Sequence, residues 1–337
     1  MNVDYREALL NLNDSDLKYI YEQLFQESAA ELHQIELIES IRKEVFTSEY
    51  LNRILLLMPS DEYALLMHAV EEKHEFVPVP AERVFFALQS LLMFETKQGM
   101  VLPFDLRDEI NQLNKRDLDE KRQQLEQDLD FITGVLFLYG YVHRQHVEQL
   151  YRQYFDEELT EERLNHMLEL LGIEQVEDMM ILPVIREGFV GQKLPDYHAE
   201  HYYTPKTFEE LKLYAGSHHH QHEESLNHFL EFIQTHASQD GKESTELIDT
   251  IRFLMVASND ANLTMEELIN LFAKDLSEPE FKMFEQLFIT ALEETRLWVY
   301  GGKKLSEIRQ EIEEQEQAEE EEKEKKVINL DVFRKDT

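Results

Sequence analysis

The stretch LDFITGVLFLYGYVHRQHVEQLYRQYFDEELTEERLNHMLELLG, residues 129–172, decides the fold class. Its apolar residues recur at helical spacing, which predicts three helices, around 129–139, 143–155 and 160–171. The apolar run Met179–Leu182 follows, and a turn at Arg186–Gly188 separates it from Phe189-Val190. Two short apolar runs around a turn containing glycine are a β-hairpin signal. Three helices closed by a hairpin predict a winged-helix-like unit over residues 129–194.

A second unit with the same order of features precedes this one. Helical spacing predicts three further helices, around 48–57, 61–73 and 80–89. The apolar runs Leu91–Phe94 and Met100–Pro103 flank a turn at Lys97–Gly99, which predicts a hairpin. The whole chain has only 10 Gly and 8 Pro, which favours long helices. We therefore predict a mainly α, multi-domain protein in which residues 48–113 form the first of two winged-helix-like units.

The rest of the chain divides by composition. Residues 1–47 read as a small helical module, with an N-cap at Asn13-Asp14-Ser15. Residues 114–128 carry charges of alternating sign at helical spacing, which indicates a charged connecting helix. Residues 195–304 read as a helical C-terminal domain, and residues 305–337 as an acidic tail.

Local signals mark helix ends in the C-terminal domain. Thr264…Glu267 and Ser277…Glu280 both fit the capping box that opens a helix. Gly301-Gly302 predicts the end of the last helix, and Trp298 its anchor.

The charge balance limits the choice of partners. The chain has 33 basic and 70 acidic residues, a formal net charge of −37. Such a surface repels phosphate backbones and attracts basic partners. A basic or nucleic-acid-associated protein is therefore the expected partner. Two alternatives stay open: the acidity serves only solubility, or the winged-helix-like and N-terminal modules make the chain a nucleic-acid-associated regulator.

Catalytic motifs are missing from the sequence. There is no cysteine, which excludes disulfides, thiolate zinc sites and thiol nucleophiles. Nucleotide-binding glycine loops, the G-x-S-x-G elbow and H-E-x-x-H do not occur either. We therefore assign no catalytic residue and no cofactor, and expect a non-enzymatic adaptor or regulator.

A histidine cluster is the strongest chemical motif. On a helix, His218 and His222 would share a face at i,i+4 spacing, as metal-binding pairs do. The neighbouring Gly216-Ser217 indicates a loop instead, which lacks the rigidity of a metal site, so no metal is assigned.

Four residues are candidates for contact with a partner, namely His143, His146, Trp298 and Phe333. The histidines open a predicted helix, where they are either a pH-sensitive contact or ordinary polar residues. The two aromatic residues lie near the C-terminus.

Three segments carry a resemblance to a known group of proteins. These are LLNLNDSDLKYIYEQL with AELHQIELIESI within residues 9–41, LYGYVHRQHVEQLYRQYF at 138–155 and ALEETRLWVYGGKKLSEI at 291–308. The chain thereby resembles uncharacterised helical proteins of low-GC Gram-positive bacteria. Their N-terminus looks like a Rho N-terminal (SAP-like) module, and they often end in a SEC-C zinc motif. That motif needs cysteines and is absent here. Leu32–Ile35 stand where a nucleic-acid-binding module would carry basic residues.

The expected compartment is the bacterial cytoplasm. The N-terminus MNVDYREALL has no basic region before an apolar run, so it does not read as a secretory signal. Apolar runs such as Ile54–Met58 are far below the roughly 20 residues of a membrane span.

Overall fold

The computed structural model describes most of the chain. The described residues are 3–72, 76–97, 99–173, 175–188, 202–215, 220, 222–237, 243–258, 260–271 and 276–318. They are mainly helical, with two small sheets, as the sequence predicts. The chain forms two compact units, Met1–Glu126 and Gln127–Thr337, and each has its own apolar core.

The first unit contains seven complete helices among its described residues, and an eighth begins in it. They are α1 (Tyr5–Leu10), α2 (Asp14–Phe25), α3 (Gln34–Val45), α4 (Ser48–Leu57), α5 (Ser60–Glu71), α6 (Phe85–Gln89), α7 (Phe104–Gln112) and α8 (Lys115–Tyr139). A short 3₁₀ helix, Ala81–Arg83, precedes α6. The sequence predicted residues 114–128 as a separate connecting helix, but this stretch continues without a break into the helix expected at 129–139.

Side-chain caps fix the first helices. The Asn13 side chain accepts a hydrogen bond from the Asp16 N–H at 2.9 Å, which confirms the predicted N-cap of α2. The carboxylate of Glu62 is buried and accepts the N–H groups of Phe86 and Ala87, at 3.1 and 3.0 Å. Because these N–H groups lie in the first turn of α6, the carboxylate satisfies donors that the helix itself leaves free.

A three-stranded antiparallel sheet completes the first unit. Its strands are β1 (Phe76–Val77), β2 (Phe94–Thr96) and β3 (Gly99–Val101), in the order β1-β3-β2. The hairpin predicted around Lys97–Gly99 is present as the β2–β3 pair, a few residues from the expected strand bounds.

The second unit continues with strands and further helices. They are β4 (Tyr141–His143), α9 (Arg144–Phe155), α10 (Glu161–Leu170), β5 (Gln175–Val176), β6 (Met179–Ile181), α11 (Pro183–Gly188), α12 (Phe208–Lys212), α13 (Glu224–Ala237), α14 (Glu243–Ala257), α15 (Ala261–Leu271), α16 (Glu278–Glu294), a 3₁₀ turn (Trp298–Tyr300) and α17 (305–318).

The hairpin of this unit differs from the prediction. β6 pairs with β5, which precedes it, and with β4, in the strand order β4-β6-β5. The predicted turn at Arg186–Gly188 is wrong, because these residues belong to α11, which starts at Pro183, where a missing N–H costs nothing. The true turn lies at Glu177, whose φ of 54° is one that glycine usually supplies. The expected partner strand Phe189-Val190 lies outside the described residues.

Only one of the two predicted capping boxes opens a helix. Ser277 caps α16, and its N–H donates to the Glu280 carboxylate at 2.7 Å. The box at Thr264 is wrong: Thr264 is buried inside α15, and its hydroxyl donates back to the Asp260 carbonyl at 3.0 Å. Asp260 lies just before the first turn of α15 and accepts the Asn262 N–H at 2.9 Å, so the helix starts earlier than predicted.

Within the described residues, no helix combines the length and the apolar character that crossing a membrane requires.

Candidate protein-interaction surface

Helices α9 and α10 follow each other in the second unit and are joined by residues 156–160. α9 ends at Asp156 in the left-handed conformation, with φ 53°. α10 begins after Thr160, whose hydroxyl oxygen accepts the Arg163 N–H at 3.3 Å. On α10, the buried residues that pack into the core are Leu164, Met167 and Leu168. Their i, i+3, i+4 spacing leaves the opposite side of the helix exposed.

The exposed side of α10 is acidic. Glu161, Glu162 and Glu169 are exposed there, together with the neutral amide of Asn165 and the ring of His166. These residues, with the wing described below, are called the α10 surface.

The three arginines of residues 141–185 are engaged by carboxylates. Residues 141–185 contain three arginines, no lysine and ten acidic residues. Arg163 makes a two-pronged contact with the buried Asp128 carboxylate, at 2.7 and 2.8 Å, and also contacts Glu157. Such forked pairs hold the guanidinium in a fixed geometry. The positive charge of Arg163 is therefore directed inward.

The other two arginines pair along the surface. Arg144 contacts Glu148 at 2.7 Å and Glu161 at 3.6 Å. Arg152 contacts Glu158 at 3.2 Å, and both of these side chains are mostly exposed. Exposed pairs of this kind contribute little to stability, but they offset the positive charge locally. Carboxylates therefore outnumber guanidinium groups in residues 141–185, ten to three.

The β5–β6 turn is also acidic. Glu177 and Asp178 lie at its tip and are exposed, and Val176 beside them is 43% exposed. We call this turn the wing. Because carboxylates cover both α10 and the wing, the α10 surface attracts Lys and Arg side chains and repels phosphates.

The sequence candidate His146 lies in the core instead of on the surface. Its ring stacks on Tyr202 at 4.4 Å between centroids, and its Nε2 lies 3.1 Å from the Tyr139 hydroxyl. The Tyr139 O–H already donates to the Tyr203 carbonyl at 2.6 Å, so His146 Nε2 must be the donor. The Nδ1 atom then carries a buried lone pair, and it has no hydrogen-bond partner among the described residues. Burial lowers the pKa of His146 to about 4.

This burial predicts a pH dependence of stability. Between pH 4 and 6.5 the His146 imidazole is protonated in the unfolded chain but neutral in the folded chain. The free energy of unfolding therefore falls as the pH drops through that range. We expect a loss of about 2–3 kcal/mol between pH 7 and pH 4.5 from this residue. Urea denaturation at both pH values measures it. His146→Phe, which keeps a ring against Tyr202, should lose this part of the pH dependence; equal dependence in both proteins would contradict the assignment.

His143 ends β4 and is the N-cap residue of α9, where its backbone N–H lies 3.2 Å from the Tyr202 hydroxyl. Its side chain is half-buried. It therefore belongs to the packing of the 202–214 segment rather than to the exposed side of α10.

The other aromatic candidate, Trp298, is also buried, with 2% of its surface exposed. Its indole N–H donates to the Phe137 carbonyl at 2.9 Å, and its ring packs edge-on against Phe253 at 5.4 Å. A partner has no access to this ring in the folded unit, so its role is packing. Phe333 lies outside the described residues.

The histidine pair is only partly described. His222 packs its ring edge against Tyr214 at 4.5 Å between centroids, and burial lowers its pKa. His218 lies outside the described residues. Among the residues that are described, no group of three His, Asp or Glu side chains is placed to hold a metal ion.

Sequence reasoning missed a buried arginine. Arg296 is 8% exposed, and its guanidinium binds both oxygens of Glu307 at 2.9 and 3.1 Å. The guanidinium also stacks on the Tyr203 ring at 3.2 Å. Arg296 thereby holds α17 and the 202–214 segment against the 3₁₀ turn. The only local signal is an arginine directly before the apolar LWVY.

Comparison with known proteins gives no family. No protein-family model matches the chain, and neither a curated protein nor a solved structure shows significant similarity to it.

Proposed function

We propose that the protein is a non-enzymatic adaptor or regulator that binds a basic protein partner through the α10 surface. One observation carries the proposal: every arginine of residues 141–185 is paired with a carboxylate, while the carboxylates of α10 and the wing remain exposed. A nucleic-acid-associated protein is the natural class of partner, because such proteins present clustered Lys and Arg.

The element order supports a winged-helix-like interpretation of this region. The order α8-β4-α9-α10-β5-β6 and the strand order β4-β6-β5 are those expected of a winged helix. In the first unit, α5, β1, the 3₁₀ helix, α6, β2 and β3 follow in the corresponding order, with strand order β1-β3-β2. This supports the proposal of two winged-helix-like units.

The chemistry of α10 argues against the nucleic-acid alternative. In helix–turn–helix proteins that bind DNA, the second helix enters the major groove and basic residues neutralise phosphates. α10 holds that position, yet it exposes Glu161, Glu162 and Glu169 and turns Arg163 inward. An acidic helix in this position favours a protein ligand.

A capture experiment tests the proposal. The full-length chain is immobilised and exposed to nuclease-treated lysate at about 50 mM and about 500 mM salt, because screening separates charge-driven from apolar binding. We expect basic proteins to bind reproducibly at low salt and to be released at high salt. No reproducible partner, or a mobility shift of DNA or RNA by the chain at about 50 mM salt, would count against the proposal.

A further inference from the structure

A groove in the first unit separates α2 from α6 and β2. Two cavities, of about 520 and about 440 Å³, share four lining residues and so form one groove; the four are Tyr19, Ile20, Leu88 and Leu91. We call it the α2 groove. All of its lining residues belong to the first unit.

The walls of the α2 groove are apolar and incompletely covered. α2 fully buries only Leu17, whereas Ile20 and Leu24 are half-buried and line the groove. Tyr19 is 64% exposed at its edge. A helix that stabilises its own fold usually buries its apolar stripe, so this stripe is available to a ligand.

The floor contains a strained residue. Leu91 has φ 57°, in the left-handed region that favours glycine. The position follows α6, and the next residue's N–H bonds back to the Ala87 carbonyl at 2.9 Å, a place where glycine usually ends a helix. Leu91 is 7% exposed and lines both cavities, so it belongs to the floor of the groove. Strain of this kind often marks a binding position.

Among the described residues, the charged ones that line the groove are two carboxylates, and neither cavity is lined by Lys or Arg. Asp16 and Glu95 are exposed and line the larger cavity. The basic residues of α1 and α2 are engaged elsewhere, because Arg6 pairs with Glu39 at 3.3 Å and Lys18 with Asp14 at 2.9 Å. An apolar floor with a carboxylate rim is complementary to a segment that carries both apolar and basic side chains.

We propose that the α2 groove binds a short amphipathic helix of a basic protein. Its apolar side chains would cover Tyr19, Ile20 and Leu88, and its Lys or Arg side chains would meet Asp16 and Glu95. Along α2 the lining residues from Asp16 to Leu24 span about 12 Å, the length of roughly eight residues of a partner helix. This site does not depend on the α10 surface, because it lies in the other unit.

Fluorescence anisotropy with a defined probe tests the proposal. The probe is a labelled peptide of roughly 12 residues, made of leucine and lysine in amphipathic helical order; the control peptide replaces each lysine with glutamate. With the full-length chain near physiological salt, we expect saturable binding of the lysine peptide and at least about tenfold weaker binding of the glutamate peptide.

Three variants locate the binding. Asp16→Lys with Glu95→Lys reverses the rim, and Tyr19→Ser removes an exposed apolar contact without changing charge; each should weaken binding about tenfold. Glu31→Lys with Glu49→Lys is the matched control, because it reverses two exposed carboxylates of the same unit that do not line the groove. Equal weakening by the control, or no effect of Tyr19→Ser, would overturn the proposal in favour of general attraction to an acidic protein.

Two other occupants have distinct signatures. If unlabelled VINLDVF, the sequence of residues 327–333, displaces the probe at equal concentration, the groove belongs to the chain's own tail. If sedimentation shows a dimer that Tyr19→Ser dissociates, it belongs to a second copy. Either result would overturn the proposal. Peptide binding that depends on the groove, with no displacement by VINLDVF and no such dimer, supports it.

Discussion

Replacing Trp298 with alanine is expected to lower the free energy of unfolding of the second unit by about 3–5 kcal/mol. The ring is 2% exposed, and the substitution would leave a cavity against Gly140 and Phe253. It would also leave the Phe137 carbonyl without the indole N–H that lies 2.9 Å away. Urea denaturation followed by circular dichroism measures the loss, since Trp298 is the only tryptophan and its fluorescence disappears with it.

Trp298→Phe is the matched control for this prediction. It keeps an apolar ring but loses the indole N–H, so we expect a smaller loss, of about 1–3 kcal/mol. If Trp298→Ala costs less than about 1 kcal/mol, the ring is not a core residue and a role in partner contact becomes the better interpretation.

Replacing Gly140 with alanine is expected to lower the free energy of unfolding of the second unit by about 2–4 kcal/mol. Gly140 has φ 70°, and an added Cβ would lie 2.6 Å from Trp298 Cγ and 2.7 Å from Ile185 Cδ1. The backbone cost and the steric overlap therefore act together. The change is measured by the same denaturation experiment.

Gly172→Ala separates the two causes. Gly172 has a similar φ of 63°, but an added Cβ there meets no atom within 4 Å, so only the backbone cost of about 1 kcal/mol is expected. In the Trp298→Ala background, Gly140→Ala should also cost about 1–2 kcal/mol less than in the parent, because part of the overlap is gone. Equal costs at the two glycines would contradict the packing described for Gly140.

Local sequence signals predicted much of the secondary structure. Asn13 and Ser277 mark true helix starts because their side chains bond to backbone N–H groups within three residues. Thr264 carries the same pattern but lies inside a helix, because Asp260 precedes it and starts that helix first. The turn at Glu177 was missed because nothing in the residue type announces a positive φ.

Of the α10 surface, only the sign of its charge could be predicted from the sequence. A net charge of −37 predicts an acidic exterior, but it does not say which carboxylates are left free. That depends on pairs distant in sequence, such as Arg163 with Asp128, which direct a positive charge inward. The buried position of His146 depends on its contact with Tyr202, which no local pattern encodes. Trp298 was predicted as a helix anchor, but α16 ends at Glu294, before Gly301-Gly302, and the ring packs from a 3₁₀ turn instead.

Capture with a charge-reversed α10 surface tests directly whether this surface binds the partner. One variant combines Glu161→Lys, Glu162→Lys and Glu169→Lys. The control combines Glu313→Lys, Glu314→Lys and Glu316→Lys, in the exposed C-terminal part of α17, and has the same change in net charge. We expect the first variant to lose the basic partners that the α10 surface binds at low salt and the control to keep them, whereas both variants keep any protein bound by the α2 groove. Equal capture by the two variants would contradict the claim that the α10 surface binds the partner.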